Sequence, residues 1–182
     1  DLVLLGNIGI KTGGDVGDHF SVSRETNGDI AGRKLTVTAG LGNVTFSRAV
    51  GDAAILGELK VLSGETTTLG GIVQANNISL TSTTVRFTGQ VTALTDDVTV
   101  NGNLVLLGNV TVAPGGGLED NFSVLGTTDG NSAGRNLTVV AGNGDVPISL
   151  SPEFCGDLSL LGFDESGGRG HRHFHFGCSD LE

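Results

Sequence analysis

The chain states one segment twice, and that duplication limits what it can fold into more than any other feature. Ala31-Gly32-Arg33-Lys34-Leu35-Thr36-Val37-Thr38-Ala39-Gly40 returns as Ala133-Gly134-Arg135-Asn136-Leu137-Thr138-Val139-Val140-Ala141-Gly142. The displacement is 102 residues, from Arg33 to Arg135. Leu2 to Asn7 recurs as Leu104 to Asn109, and Asp18-His19-Phe20-Ser21-Val22 recurs as Asp120-Asn121-Phe122-Ser123-Val124, both in the same register. Aligned without a gap, residues 1–48 and 103–150 share 25 identities. A repeated unit can bury its apolar face against its own neighbours, so the repeat has to be read before any local pattern.

A finer period lies inside the long unit. Leu35-Thr36-Val37, Leu59-Lys60-Val61, Ile78-Ser79-Leu80 and Val98-Thr99-Val100 follow one another at 24, 19 and 20 residues. After a gap of 39, about two such steps, come Leu137-Thr138-Val139 and then, 21 on, Leu158-Ser159-Leu160. The apolar runs alternate with polar residues and end in Gly, Asn or Asp, the mark of short strands between tight turns, and no window has helical spacing. With 31 Gly, 8 Phe and no Trp, Tyr or Met, the side chains that fill a thick core are scarce. A segment of about 20 residues cannot bury its apolar face alone, but stacked on like neighbours it can.

The expected fold is therefore all-β, a right-handed parallel β-helix (β-solenoid) of about 20 residues per turn. Nine turns at about 4.8 Å would make a rod of about 40 Å. Gly or Asn would take the corners where φ must be positive. Leu35, Val37, Leu59, Val61, Ile78, Leu80, Val98, Val100, Leu137, Val139, Leu158 and Leu160 would form one inward ladder, with Leu35 and Leu137 five turns apart on the same face. The alternative is two tandem β-sandwich domains, which a 102-residue repeat would also suit. The solenoid is expected over residues 1–150, as unit 1–102 and a partial second copy from 103. Residues 151–182, where the repeat decays, would be an atypical C-terminal capping segment covering the open coil end.

The stretch "LTVTAGLGNVTFSRAVGDAAILGELKVLSGETTTLG" from Leu35 to Gly70, followed by "VRFTGQVTALTDDVTV" from Val85 to Val100, resembles the repeats of large bacterial surface proteins of the filamentous-haemagglutinin type. In those repeats "LTVxAGxGxVxFxxxVG" leads to "LxxLxVxG" and then to "TGxVxLxxDxxL". The resemblance covers about residues 28–150. It implies an exported, elongated parallel β-helix used as an adhesin stalk or matrix fibre. The chain departs from the pattern where the usual Tyr of the "TGxQxYxG" region is replaced by Phe87-Thr88-Gly89.

Charge and composition narrow the partners. Twenty acidic residues against ten basic ones give a net charge of −10, which disfavours nucleic acid, whose binding needs Lys and Arg against phosphates. No apolar run is long enough to cross a bilayer, so no membrane insertion by this segment is expected. Beginning at Asp1 without any Met, the chain reads as a processed product or an excised fragment, and the lack of a signal peptide does not argue for the cytoplasm.

Several clusters could carry chemistry, and each has a plain structural reading beside it. His171, His173 and His175 alternate with Arg172, Phe174 and Phe176, so on a strand the imidazoles would share one face, as a metal site requires; an exposed tail is the other reading. Cys155 and Cys178 would pair in a disulfide tying the terminal segment to the last coil. Gly13-Gly14-Asp15-Val16-Gly17-Asp18-His19-Phe20 approaches the calcium nonapeptide of β-rolls but has Val16 where Gly belongs, which favours a plain turn. Paired carboxylates such as Asp96-Asp97 or Asp164-Glu165 could serve sugar cleavage, but adjacent strand residues face opposite ways. Thr66-Thr67-Thr68 and Thr81-Ser82-Thr83-Thr84 raise ice or polysaccharide binding, which needs a uniform outward Thr ladder.

The function expected on these grounds is structural: a segment of an extracellular adhesin stalk or self-assembling surface fibre, at the cell surface or outside it, without catalysis or cofactor. Its partners would be copies of itself, or a host-surface or matrix glycan or protein. The alternative is a carbohydrate-binding or carbohydrate-cleaving β-helix.

Overall fold

The computed structural model describes residues 1–117, 119–142, 144–163 and 169–176; Phe163 and, apart from Arg172, the strand 169–176 are described by backbone only. All regular structure in it is β. In chain order the first coil holds β1 (Leu2–Leu4), β2 (Ile8–Lys11) and β3 (Phe20–Val22), and the second holds β4 (Thr26–Gly28), β5 (Lys34–Gly40) and β6 (Val44–Phe46). The third has only Val50 as an isolated bridge before β7 (Leu56–Ser63) and β8 (Thr66–Leu69). The fourth is one continuous strand bent through all three faces, β9 (Val73–Phe87). The fifth holds β10 (Val91–Ala93) and β11 (Val98–Leu106); the sixth holds β12 (Val110–Ala113), β13 (Phe122–Val124) and β14 (Thr127–Gly130). The seventh holds β15 (Leu137–Gly142) and β16 (Ser149–Leu150), and β17 (Gly156–Phe163) with β18 (Arg169–Phe176) completes the order.

Every pairing from β1 to β17 is parallel, between a strand and its counterpart one coil on. The chain is thus a β-solenoid of about seven coils with about 22 residues each. That is fewer and longer coils than the spacing of Leu35, Leu59, Ile78 and Val98 suggests. The steps from Leu59 to Ile78 and from Ile78 to Val98 are among the shortest, while the loop between β12 and β13 and the turn between β2 and β3 lengthen other coils. At about 4.8 Å per coil the rod is about 34 Å long.

Three columns of strands form three faces. On the second face Ile8, Leu35, Leu59, Ile78, Val98 and Phe122 pair in succession, with Ile10, Val37, Val61, Leu80, Val100 and Val124 two residues on. The third face carries Phe20, Val44, Thr67, Val85, Leu104 and Thr128. The first carries Leu2, Thr26, Val50, Val73, Val91, Val112 and Val139. Alternate residues of each strand point inward, and from Leu35 to Val139 the apolar ones are buried in a single cluster. One continuous core replaces the two cores that tandem sandwiches would have.

The twelve residues expected to make one ladder make two. Leu35 to Val100 belong to the second face, whereas Leu137 pairs with Val110 and Leu158, and Val139 with Val112 and Leu160, on the first. Leu35 and Leu137 therefore do not share a face. Leu2 lies on the first face of coil one and its copy Leu104 on the third face of coil five, so 102 residues amount to four coils and two further faces. The same shift moves Ile8 on the second face to Val110 on the first, and Phe20 on the third to Phe122 on the second. The rung that continues the ladder after Val98 is Phe122-Ser123-Val124, whose bulky first residue disguises it.

The glycines support this rotation. Gly40 and its copy Gly142 both adopt positive φ, 53° and 58°, although they end strands on different faces. A Cβ on Gly40 would meet the backbone of Gly14, in the turn that follows β2 one coil back. No described residue other than Gly has positive φ, so the Asn corners are not there for backbone reasons.

The last pairing departs from the rest. β18 runs antiparallel to β17, with Leu158 opposite Phe174 and Ser159 opposite His173, so on this face the parallel ladder stops. The solenoid account predicts that Ile78→Ala, at a fully buried rung with neighbours on both sides, costs about 2–5 kcal/mol in chemical denaturation. Ser79→Ala, pointing outward beside it, should change stability by less than about 0.5 kcal/mol.

Candidate functional site

The outward positions and corners are where any function must lie, since the interior is filled. The corners are held by a recurrent side-chain bond. Asn7 Oδ1 accepts the Lys34 amide at 3.1 Å, Asn27 Oδ1 the Ala53 amide at 3.1 Å, and Asn43 Oδ1 the Thr66 amide at 3.0 Å. Asp97, Asn121, Asn103, Asn109 and Asn136 do the same for Asn121, Asp145, Thr127, Asn136 and Asp157, over 2.7–3.2 Å. Except for Asn27, which lies within β4, the accepted amide belongs to the equivalent corner one coil on. The bond satisfies a backbone donor that turns away from the ladder at the corner. His19 takes the same part through Nδ1, which accepts the Asn43 amide at 2.9 Å.

This use of Asn escapes a reading in terms of backbone conformation, yet it has a signature: an Asn or Asp directly before the first inward apolar residue. Asn7-Ile8, Asn43-Val44, Asp97-Val98, Asn109-Val110, Asn121-Phe122 and Asn136-Leu137 all have it. The pairs 7/109 and 19/121 are repeat equivalents on different faces. The local hydrogen bonding therefore travels with the sequence while the face changes.

The Gly13–Phe20 turn and its copy are closed in the same way. Asp18 Oδ2 accepts the Asp15 amide at 2.9 Å, and Asp120 Oδ2 accepts the Gly117 amide at 2.6 Å. Both carboxylates thus hold their own turns, which is the plain-turn reading. Asp97 of the Asp96-Asp97 pair is likewise engaged as a corner acceptor, and Asp164-Glu165 lies outside the described residues. The Thr runs do not form an outward ladder: Thr67 is buried with its hydroxyl 2.6 Å from Ser82 Oγ. Outward in register on the second face stand Thr36, Lys60, Ser79 and Thr99, a mixed row.

An open hollow of about 420 Å³ lies at a first-coil corner, lined by Asp1, Ser23, Arg24, Glu25 and Arg48. That lining carries two guanidinium groups and two carboxylates and has no His or Cys. Elsewhere Arg33 Nε donates to Asp29 Oδ1 at 2.6 Å and Arg33 Nη2 to Asp29 Oδ2 at 3.0 Å. That hydrogen bonding, with the guanidinium charge, lowers the Asp29 pKa below the ordinary aspartate value and raises Arg33 in return. In the second copy Asn131 takes the place of Asp29 and accepts from Arg135 Nε at 2.9 Å.

Among the described residues no three His, Cys, Asp or Glu come together as a metal-binding group. His171, His173 and His175 lie on β18 opposite Leu161, Ser159 and Asp157, and their side chains are outside the description. The expected Cys155–Cys178 disulfide also falls there, since Cys178 lies outside the described residues. No described helix is long and apolar enough to cross a membrane. Compared with known protein families, with curated proteins and with solved structures, the chain matches none.

Three outcomes follow from the corners and the interior. Asn121→Ala should cost about 1 kcal/mol in denaturant unfolding, while His19→Asn, which installs the second copy's residue, should leave stability unchanged. Thr26 and its copy Thr128 bury hydroxyls that find no partner, so Thr26→Val or Thr128→Val should stabilise by about 1 kcal/mol. In a carboxyl-detected NMR titration Asp29 should titrate below free aspartate. Its depressed pKa means that the contribution is present above the unfolded value and fades as pH falls through the folded one.

Proposed function

We propose that the chain is a structural segment of the shaft of an extracellular bacterial surface protein, an adhesin stalk or surface fibre of the filamentous-haemagglutinin type, and that it has no catalytic role. The observation that carries this reading is the rotation of the repeat. Because each unit advances four coils and two faces, identical surface residues come round on successive faces. A surface that reads one ligand along one side would keep like residues in one column, as a unit of whole coils does. A rod that only has to span distance has no such requirement, and it needs a continuous core, an acidic coat for solubility and corners that self-satisfy.

The resemblance over residues 28–150 supports an exported setting, and the net charge of −10 suits a long shaft that must not clump. The reading is tested on intact cells that produce the protein, with antibody against the exposed loop around Asp15 to Gly17. Labelling of the outer surface by electron microscopy is the expected result. Labelling that needs permeabilised cells contradicts it, and glycan-array binding or sugar release lost in Asp96→Asn would favour the carbohydrate reading instead.

A further inference from the structure

The duplication places the same residues in two environments. In the second copy Leu104, Val110, Val112, Phe122 and Val124 are at most 5% exposed. What covers them is the coil before: Val85 pairs with Leu104, Val91 with Val112, and Val98 with Phe122. Their first-copy equivalents Leu2, Ile10, Phe20 and Val22 are only half-buried, and Ile8 is 38% exposed against 2% for Val110. Among the described residues β1, β2 and β3 each pair on one side alone, with β4, β5 and β6. The first coil thus presents an open parallel edge above a partly wet apolar face.

We propose that this edge is a docking surface for a further 102-residue unit, whose last coils seat on it as residues 85–100 seat on the second copy. The inference rests on the reading of the chain as a shaft segment. It commits to that occupant because the chain already contains the joint once, on a surface with apolar residues at the same seating positions, Leu104, Val112, Phe122 and Val124 for Leu2, Ile10, Phe20 and Val22. In the incoming unit the counterpart of Val85 would lie over Leu2, that of Val91 over Ile10 and that of Val98 over Phe20. The counterpart of Asp97 would take over the His19 amide, which at the open edge donates to the Gly17 carbonyl at 3.0 Å, as Asp97 accepts that of Asn121 at 2.7 Å. Added strands of this kind are held by main-chain bonds, with the alternate apolar side chains setting register. The joint turns each unit two faces from the last. Like surfaces then return to one face only after three units, 3 × 102 or 306 residues, and a shaft built this way carries each surface loop in a spiral.

The test extends the full chain at its N-terminus, in one variant by residues 49–102 and in another by the whole of 1–102, each joined to Asp1 as Gly102 is joined to Asn103. Hydrogen exchange is read at the amides of 8–11 and 20–22. Docking predicts at least a tenfold slowing in either variant, towards the rates of 110–113 and 122–124. Unchanged rates in both variants overturn the proposal, and so does an extension that stays protease-sensitive while 98–113 remain protected. Sedimentation of the unextended chain covers the other occupant: a dimer that protects 8–11 and persists in both extended chains also overturns it. Surface labelling decides the shaft reading separately, so a failed joint and a failed shaft give different results.

Discussion

In-register stacking of each coil on the next is the constraint on which the rest depends. A coil of about 22 residues has three or fewer short strands and encloses only a few inward side chains. Alone it would leave both sides of them in water. Stacked, a residue such as Ile78 is covered by Leu59 on one side and Val98 on the other, and its backbone groups enter ladders in both directions. Each fully buried aliphatic side chain contributes about 1.5–3 kcal/mol on this basis. Corner bonds such as Asn43 to the Thr66 amide are secondary: they prevent a loss at the turn and fix register, but they create no core.

The alternation of apolar and polar residues was enough to read the fold class, since period two, Gly-rich corners and recurrence near 20 residues admit few architectures. The Leu35, Leu59, Ile78, Val98 column could be read for the same reason. What could not be read was how the 102-residue unit divides into coils. Coils lengthen by surface turns that cost the core nothing, so sequence distance does not count faces. A gap of 39 residues from Val98 to Leu137 looked like two coils along one face, whereas the chain passes Phe122 on that face and reaches Leu137 on the next. The Asn corners were visible as letters, but their purpose is a bond to another coil, and that partner is known only once the stacking is. Of the candidate sites, Asp18, Asp97 and Thr67 proved to be engaged in holding the fold.

The rotation also explains how one duplicated sequence can serve two different faces. Nothing in Ala31–Gly42 depends on which face it forms, because its inward residues meet the same kind of apolar column everywhere and its turns close on themselves. Asp29–Arg33 and Asn131–Arg135 make matching contacts in different surroundings. A unit that is indifferent to its face can be duplicated at any length compatible with the coil path, without needing a whole number of coils. That tolerance suits a spacer, and it works against any function needing a regular array along one side.

The most direct measurement of this account is the amide-to-amide NOE pattern of the isotope-labelled chain. Rotation by two faces predicts that the amides of strand 137–140 show NOEs to those of 110–113, with Thr138 opposite Thr111, and that Ser123 continues the column of Thr99. NOEs that instead tie Thr138 to Ser123, placing both copies of the duplicated segment on one face, would contradict it.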